Sequence, residues 1–313
     1  MSGNLDTVCQ GVWSGVLPLK LNSGTDQREL ARARLLLRSL GHFWRDTRPF
    51  DLHIIARTEE VDEIKRELSD LCAPPLNVRC HAETDFFPIG SPFFSMEGMY
   101  RQQLLKLFAP AKMTLGGFLT LDADVICLRE FDSQSFLRGG KLISTWEPRH
   151  IHSWWQNSAA GLRIWSDQNS PGLGVTPNVL HSDLCRKIER YFAFRGLDPI
   201  QHLCSLTEHH PNLTSIDGEG IPLVWSEYSI YTIIGEWFGD LFKLHLAPAE
   251  SEKSGVELHS RRNVWSSADA GRLIPDPEDA GHFLIVQSWA GISVEEIQAR
   301  IGLRFSPAPA IRQ

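Results

Sequence analysis

The run Gly117 to Phe131, GFLTLDADVICLREF, constrains this chain more than any other stretch. Phe118 to Leu121 reads as a short buried strand that runs directly into Asp122 and Asp124, after which Val125 and Ile126 are apolar again. Side chains alternate across a strand, so two acids one residue apart point the same way. Carboxylates at the end of a strand too apolar to face water need a counter-charge, and a divalent cation with oxygen ligands is the simplest one. Acids capping a turn, or meeting surface lysines, are the other reading of this spacing.

The segments before this run predict a parallel α/β sheet. Val16 to Leu21 is a first strand, with turn chemistry at Asn22-Ser23-Gly24. Leu30, Ala33, Leu37 and Leu40 then share one helical face. Phe50 to Ala56 is a second strand, Val61, Ile64 and Leu68 mark an amphipathic helix, and Leu76 to His81 is a third strand. After a Pro, Gly and Phe loop, Tyr100, Leu104, Leu107 and Phe108 predict a helix that Pro110 ends. Loops at the carboxyl ends of parallel strands line the ligand crevice, so Arg101 and Lys106 on this helix can reach a ligand at Asp122. As plain helix charges they would instead be solvated.

Beyond the acids, Lys141 to Glu147 is a strand, and HSWWQNSAAGLRIW is an aromatic helix or loop. Asn169 to Asn178 is rich in Gly and Pro and reads as an irregular loop, and SDLCRKIERYFAF as a helix. Ser226 precedes a further helical run, which puts Glu227 at a helix start where the dipole favours its charge. The polar stretch 247–281 predicts a mobile lid or long loop. Phe283 to Val286 is a last strand, and Ser293 to Ile301 a short capped helix.

A formal net charge of -7 argues against non-specific binding to nucleic acid or an anionic membrane. A phosphate-bearing ligand must then be held by local basic residues or a metal. The start MSGNLDTVCQGVW has neither a basic nor an apolar segment of a secretory signal, and no run is long and apolar enough for a transmembrane helix. Cys9, Cys72, Cys80, Cys127, Cys185 and Cys204 show no CxxC spacing, so reduced thiols and a cytoplasmic location are expected. Zinc at His150 and His152, or at His209 and His210, lacks Cys or acid partners at ligand spacing.

The segment LKLFAPAKMTLGGFLTLDADVICLREFD resembles the core of GT-A-fold, metal-dependent nucleotide-sugar glycosyltransferases, in particular glycogenin-like and bacterial capsule or lipopolysaccharide transferases. Lys106, then Asp122 and Asp124, then Phe131-Asp132 stand in the family's order, and LPLKLNSG with RARLLLRSL resembles its nucleotide-binding first strand and helix. YRQQLLKL, LDAD and WSEYSIY together are similar to an uncharacterised bacterial branch of that fold. The resemblance covers about residues 14 to 245. It implies a mixed, mainly parallel sheet flanked by helices in one catalytic domain, 14–305. A nucleotide-sugar half, 14–132, would precede an acceptor half, 133–305, between a flexible start, 1–13, and a loose tail, 306–313.

The same resemblance implies a UDP-sugar donor, Mn²⁺ or Mg²⁺, and transfer of a hexose to a glycan, lipid-linked or small polyol acceptor. Asp124 would bind the metal, with Asp122 on the metal or the ribose. Lys106 and Arg101 would touch the donor sugar or its phosphates, and Leu19 and Lys20 would edge the base and ribose. Glu227 would be the acid that deprotonates the acceptor in inverting members, or a donor-sugar contact in retaining ones. Glycogenin-like enzymes complete the metal shell with a C-terminal histidine where this chain has Gln287 and Ser288. His259, with Arg261 near it, is the substitute. Trp146, Glu147, Trp154, Trp155, Thr176 and Trp225 fall where the family's acceptor side forms, although a structural Trp is the commoner case. Two alternatives stay open: a phosphohydrolase of the haloacid dehalogenase type, whose Asp-x-Asp normally follows the first strand, and a non-catalytic sugar-nucleotide or glycan-binding protein, which would not need Glu227.

Overall fold

The structure, a computed structural model, describes residues 9–21, 28–208 and 224–302. The Asn22-Ser23-Gly24 turn, the His209-His210 pair, the start 1–8 and the tail from 303 lie outside the described residues. The chain runs β1 (Val12–Pro18), α1 (Arg28–Phe43), β2 (Phe50–Ala56), α2 (Val61–Glu67), β3 (Leu76–Ala82), α3 (Gly98–Met113), β4 (Gly117–Thr120) and β5 (Val125–Cys127). Short pairs β6 (Leu137–Arg138) with β7 (Lys141–Leu142), and β8 (Trp146–Pro148) with β9 (Pro171–Leu173), follow, α4 (Ser153–Leu162) lying between the last two. Then come β10 (Asn178–His181), α5 (Ser182–Phe194), α6 (Pro199–Glu208), α7 (Glu227–Trp237), α8 (Leu241–Leu244), α9 (Pro248–Lys253), β11 (Glu257–His259), β12 (Gly281–Ile285) and α10 (Val294–Ile301).

The main sheet has the order β10-β4-β1-β2-β3. Its first four strands in the chain are parallel, and β10 joins antiparallel at one edge, Asn178 facing Thr120. Alternation divides the core. Val16, Ile55, Phe118 and Leu180 pack with α3, α5 and α7 on one face, while Leu17, Ile54 and Leu119 pack with α1 and α2 on the other. A mainly parallel sheet must be covered on both faces, because its strands are apolar on both. This is the α/β class the sequence predicts.

Besides the expected strand Lys141 to Glu147, which is split between β7 and β8 in separate sheets, four elements differ from expectation. β1 begins at Val12 and stops at Pro18, so Leu19 and Lys20 lie beyond its carboxyl end. Helix α3 passes through Pro110 to Met113, its last turn closed by Thr114 N–H to Pro110 O at 2.9 Å. Packing of this buried turn overrides the proline signal. The NSPGLGVTPN stretch holds β9 and starts β10, since Asn178 clamps the neighbouring chain by accepting from Thr145 N and donating to Thr145 O.

The fourth is the polar stretch 247–281, which carries α9, β11 and a 3₁₀ turn, Ser267–Arg272, rather than one long loop. The Asp279 carboxylate organises it, accepting from Ser260 Oγ (2.5 Å), Arg262 Nε (2.8 Å) and the amides of Arg261 and Gly281 (3.2 and 3.1 Å). β11 and β12 then continue with β5 as a separate three-stranded sheet. No helix among the described residues is long and apolar enough to cross a membrane, and all six cysteines are free.

Candidate active site

The acid pair lies just past β4, on a turn closed by Val125 N–H to Asp122 O at 3.1 Å, so the chain has left the sheet before it reaches Asp124. β5 then starts the smaller sheet, and Val286 N–H donates to Asp124 O at 3.0 Å. The acids are therefore fixed by the junction of two sheets rather than by alternation along one strand.

Lys106 links the acids to the helices. Its side chain is 4 % exposed, and Nζ donates to Asp122 Oδ1 (2.8 Å), Glu227 Oε1 (3.1 Å) and Thr176 Oγ1 (2.9 Å). An ammonium has three protons, and all three are used. Burial opposes its charge, but Asp122 and Glu227 more than offset that and hold the ammonium protonated, well above the usual lysine range. The resemblance puts Lys106 at the donor sugar or its phosphates; in the structure it is buried as the bridge between two acids.

Glu227 is the first residue of α7, behind the Ser226 cap, and its backbone N–H donates to Gln103 Oε1 at 3.1 Å. Burial raises its carboxyl, Lys106 pulls it back and Asp122 adds to the rise. Thr176 extends the network through Tyr228 Oη (2.6 Å), which meets Thr120 Oγ1 at 2.7 Å.

Asp124 is in a different state. Among the described residues no side chain donates to its carboxylate, while Asp122 and Glu29 act on it as like charges and Arg32 and Lys106 as opposite ones. Burial, and then Asp122, push it up to about 8. Arg32, which helical periodicity assigns only to the flank of α1, is buried here; it donates to Val286 O (2.5 Å) and Ile292 O (3.0 Å). A partly buried carboxylate short of a counter-charge, next to a second one, fits a divalent cation. Two carboxylates suit Mg²⁺ or Mn²⁺ that takes its other ligands from water and substrate phosphates.

His259 is not drawn into this group. Its Nε2 meets Pro177 O at 2.8 Å, and burial lowers its pKa. It contacts the loop that bears Thr176, and among the described residues no three His, Cys, Asp or Glu side chains form a metal-holding cluster. Arg261 pairs with Glu257 at 3.3 Å. His152 stands 3.8 Å from Glu147 Oε1 and stacks on Trp154.

Leu19, Lys20 and Arg101 meet in a small open cleft over the carboxyl ends of β1, β2 and β3, with Arg57 and Glu83. Arg101 is paired with Glu83, and its guanidinium lies 5.1 Å from the Phe93 ring. On the expected acceptor side, Trp155 and Trp225 are wholly buried. Trp225 Nε1 donates to Leu203 O at 3.1 Å, and Gly172 leaves room for the Trp155 ring. Both are packing residues. Trp146, Trp154 and Glu147 are half-buried, and burial pushes Glu147 up to about 7.

A mainly parallel α/β fold with an acid pair past its fourth strand and a lysine-bridged carboxylate beside it describes the class of site. The chain belongs to DUF6492, a family of unknown function, which matches it over residues 12–308. No curated protein matches its sequence. Among solved structures it is similar to mouse xyloside xylosyltransferase 1 in its apo form, at 14% identity and a TM-score of 0.43, over 79% of this chain and 87% of that one. It is also similar to an active-site mutant of LgtC, at 12% identity and a TM-score of 0.39, over 69% of this chain and 68% of that one.

Proposed function

We propose that this chain is a glycosyltransferase of the GT-A type that moves a hexose from a UDP-sugar to a glycan, lipid-linked or small polyol acceptor. The observation that carries this reading is the division of labour between the two acids: Asp122 is neutralised by Lys106 at 2.8 Å, whereas Asp124 has no donor to its carboxylate among the described residues. Asp124, with Asp122, would hold Mn²⁺ or Mg²⁺. When bound, the metal neutralises the donor diphosphate and stabilises the charge that grows on it as it leaves.

The chain's own residues do the rest. The small cleft of Leu19, Lys20 and Arg101 opens over the same carboxyl-terminal sheet edge, where the crevice of such sheets takes its ligand, and Lys20 would meet the nucleotide there. Lys106 pairs with Asp122 and holds Glu227 beside it. Glu227, raised by burial, accepts the proton of the acceptor hydroxyl. The phosphohydrolase alternative places its acid pair after the first strand, whereas here the pair follows β4.

Thermal stabilisation by UDP tests the reading. It should require Mn²⁺ and vanish in Asp124→Ala; stabilisation that survives the substitution would sink it. Slow Mn²⁺-dependent hydrolysis of a UDP-sugar separates the enzyme from a binding protein, and turnover of p-nitrophenyl phosphate would favour the phosphatase.

A further inference from the structure

The segment after β12 carries a feature that the donor site leaves unused. Val286 is bonded to Asp124, and the buried Arg32 guanidinium grips the segment at both ends, through Val286 O and Ile292 O. Between these two grips the chain makes a 3₁₀ turn, Ser288–Ala290, closed by Gly291 at φ 73°. Trp289 sits on that turn, 67% exposed. Its indole is held in place: Nε1 donates to Trp265 O at 2.8 Å, and Trp265 is itself 38% exposed. Trp265 in turn follows Val264, which bridges Val286, and its amide donates to Asp269. Two accessible indoles are thus mounted on backbone that is tied to the acid turn.

An exposed tryptophan normally keeps its rotamer freedom and adds nothing to the core. Here the ring is fixed by its own polar atom while its apolar surface remains accessible, which is the arrangement that stacking on a flat apolar ligand face requires. The ligand has to be neutral on that face, because the carboxylate beside Trp265, Asp269, is already taken by the Trp265 and Ser266 amides and by Arg272 at 3.3 Å, which leaves no unpaired charge there to recognise. The C–H face of a pyranose ring meets these requirements.

We infer that Trp289 and Trp265 form a stacking platform for a pyranose ring of a neutral glycan, set beside the acid turn, with Arg32 as the positioning residue that fixes the platform to Asp124. This inference deepens the glycosyltransferase reading and rests on it for the glycan being a substrate.

Saturation-transfer NMR with the full chain and a panel of maltotriose, cellotriose and lacto-N-tetraose tests it, with UDP and Mn²⁺ stabilisation measured in parallel. Transfer to pyranose ring protons is expected, weakened about ten-fold in Trp289→Ala and only partly restored in Trp289→Phe, which returns a ring without the N–H that fixes it, one ring contact being worth about a factor of ten. Asp124→Ala should keep glycan transfer while losing the UDP response. Trp265→Ala serves as the second variant if Trp289→Ala does not fold. Unchanged transfer in folded Trp289→Ala, or none with wild type that still responds to UDP, would overturn the platform and leave the donor site standing. Loss of the UDP response alone would overturn the donor site instead. Binding to neutral phosphatidylcholine vesicles that Trp289→Ala abolishes would assign the indoles to a lipid surface and likewise overturn the inference.

Discussion

Lys106 Nζ lies 3.1 Å from Glu227 Oε1, joining two residues 121 positions apart in the chain. The pair sits under the carboxyl edge of the sheet and is buried on both sides. Removing one partner leaves the other as an uncompensated buried charge. Lys106→Met should therefore destabilise the fold by about 3–5 kcal/mol, read as a shift of the urea midpoint. Adding Glu227→Gln should recover a substantial part of that loss; a double variant no more stable than Lys106→Met would show that the two charges are not coupled.

Glu227→Gln alone keeps the side chain's size and an acceptor for Lys106 but removes the proposed base. Transfer should fall by about 10²–10⁴-fold with the Mn²⁺-dependent UDP response intact. A rate within a few-fold of wild type would end its role as the base.

Asp124 opposes folding in the metal-free chain. Its carboxyl is raised to about 8 against 3.8, so the folded state disfavours the ionised form at neutral pH. Asp124→Asn should be at least as stable as the wild type without metal at pH 8, and should lose all stabilisation by Mn²⁺ with UDP. Differential scanning calorimetry with and without Mn²⁺ reads both arms; a clearly less stable metal-free variant would contradict the charge state assigned here.

Buried histidines set an acid limit. Burial lowers His53 to about 4, with His81 Nε2 at 3.0 Å from its Nδ1, and lowers His245 to about 3 between Ser144 and Tyr231. Both are lowered from 6.5, so the unfolded chain binds protons that the folded chain refuses once the pH drops below that value. The contribution of these two histidines should be full above about pH 6.5 and fall as pH is lowered towards 4, by about 1.4 kcal/mol per pH unit for each group at the steepest part, against an opposite slope from Asp124 that Asp124→Asn removes. Urea titrations from pH 7.5 to 4.5 measure it, and His53→Gln should flatten the slope. An unchanged slope would mean that His53 is protonated in the folded state.

The parallel order of β1 to β4 and the helix start at Glu227 were legible because each rests on a local signal: an apolar run, a turn, a serine cap. Lys106 showed only as a charge on a helix. Its burial depends on Asp122, Thr176 and Glu227 arriving from three other segments, which no local pattern encodes. β10 and β11 were missed for a related reason, being short and recognisable only by their partners β4 and β12. Arg32 could have been suspected, since its neighbours in ARARLLLRSL are the apolar face of α1, but the carbonyls it grips lie 254 and 260 residues away.

That distance has a bearing on the order in which the molecule matures. The acid turn is made early in synthesis, but the backbone that anchors Asp124 and the carbonyls that hold Arg32 come from the last part of the chain. The wall around Asp124 is therefore completed only by contacts between segments far apart in the chain, whose closure carries a large entropic cost.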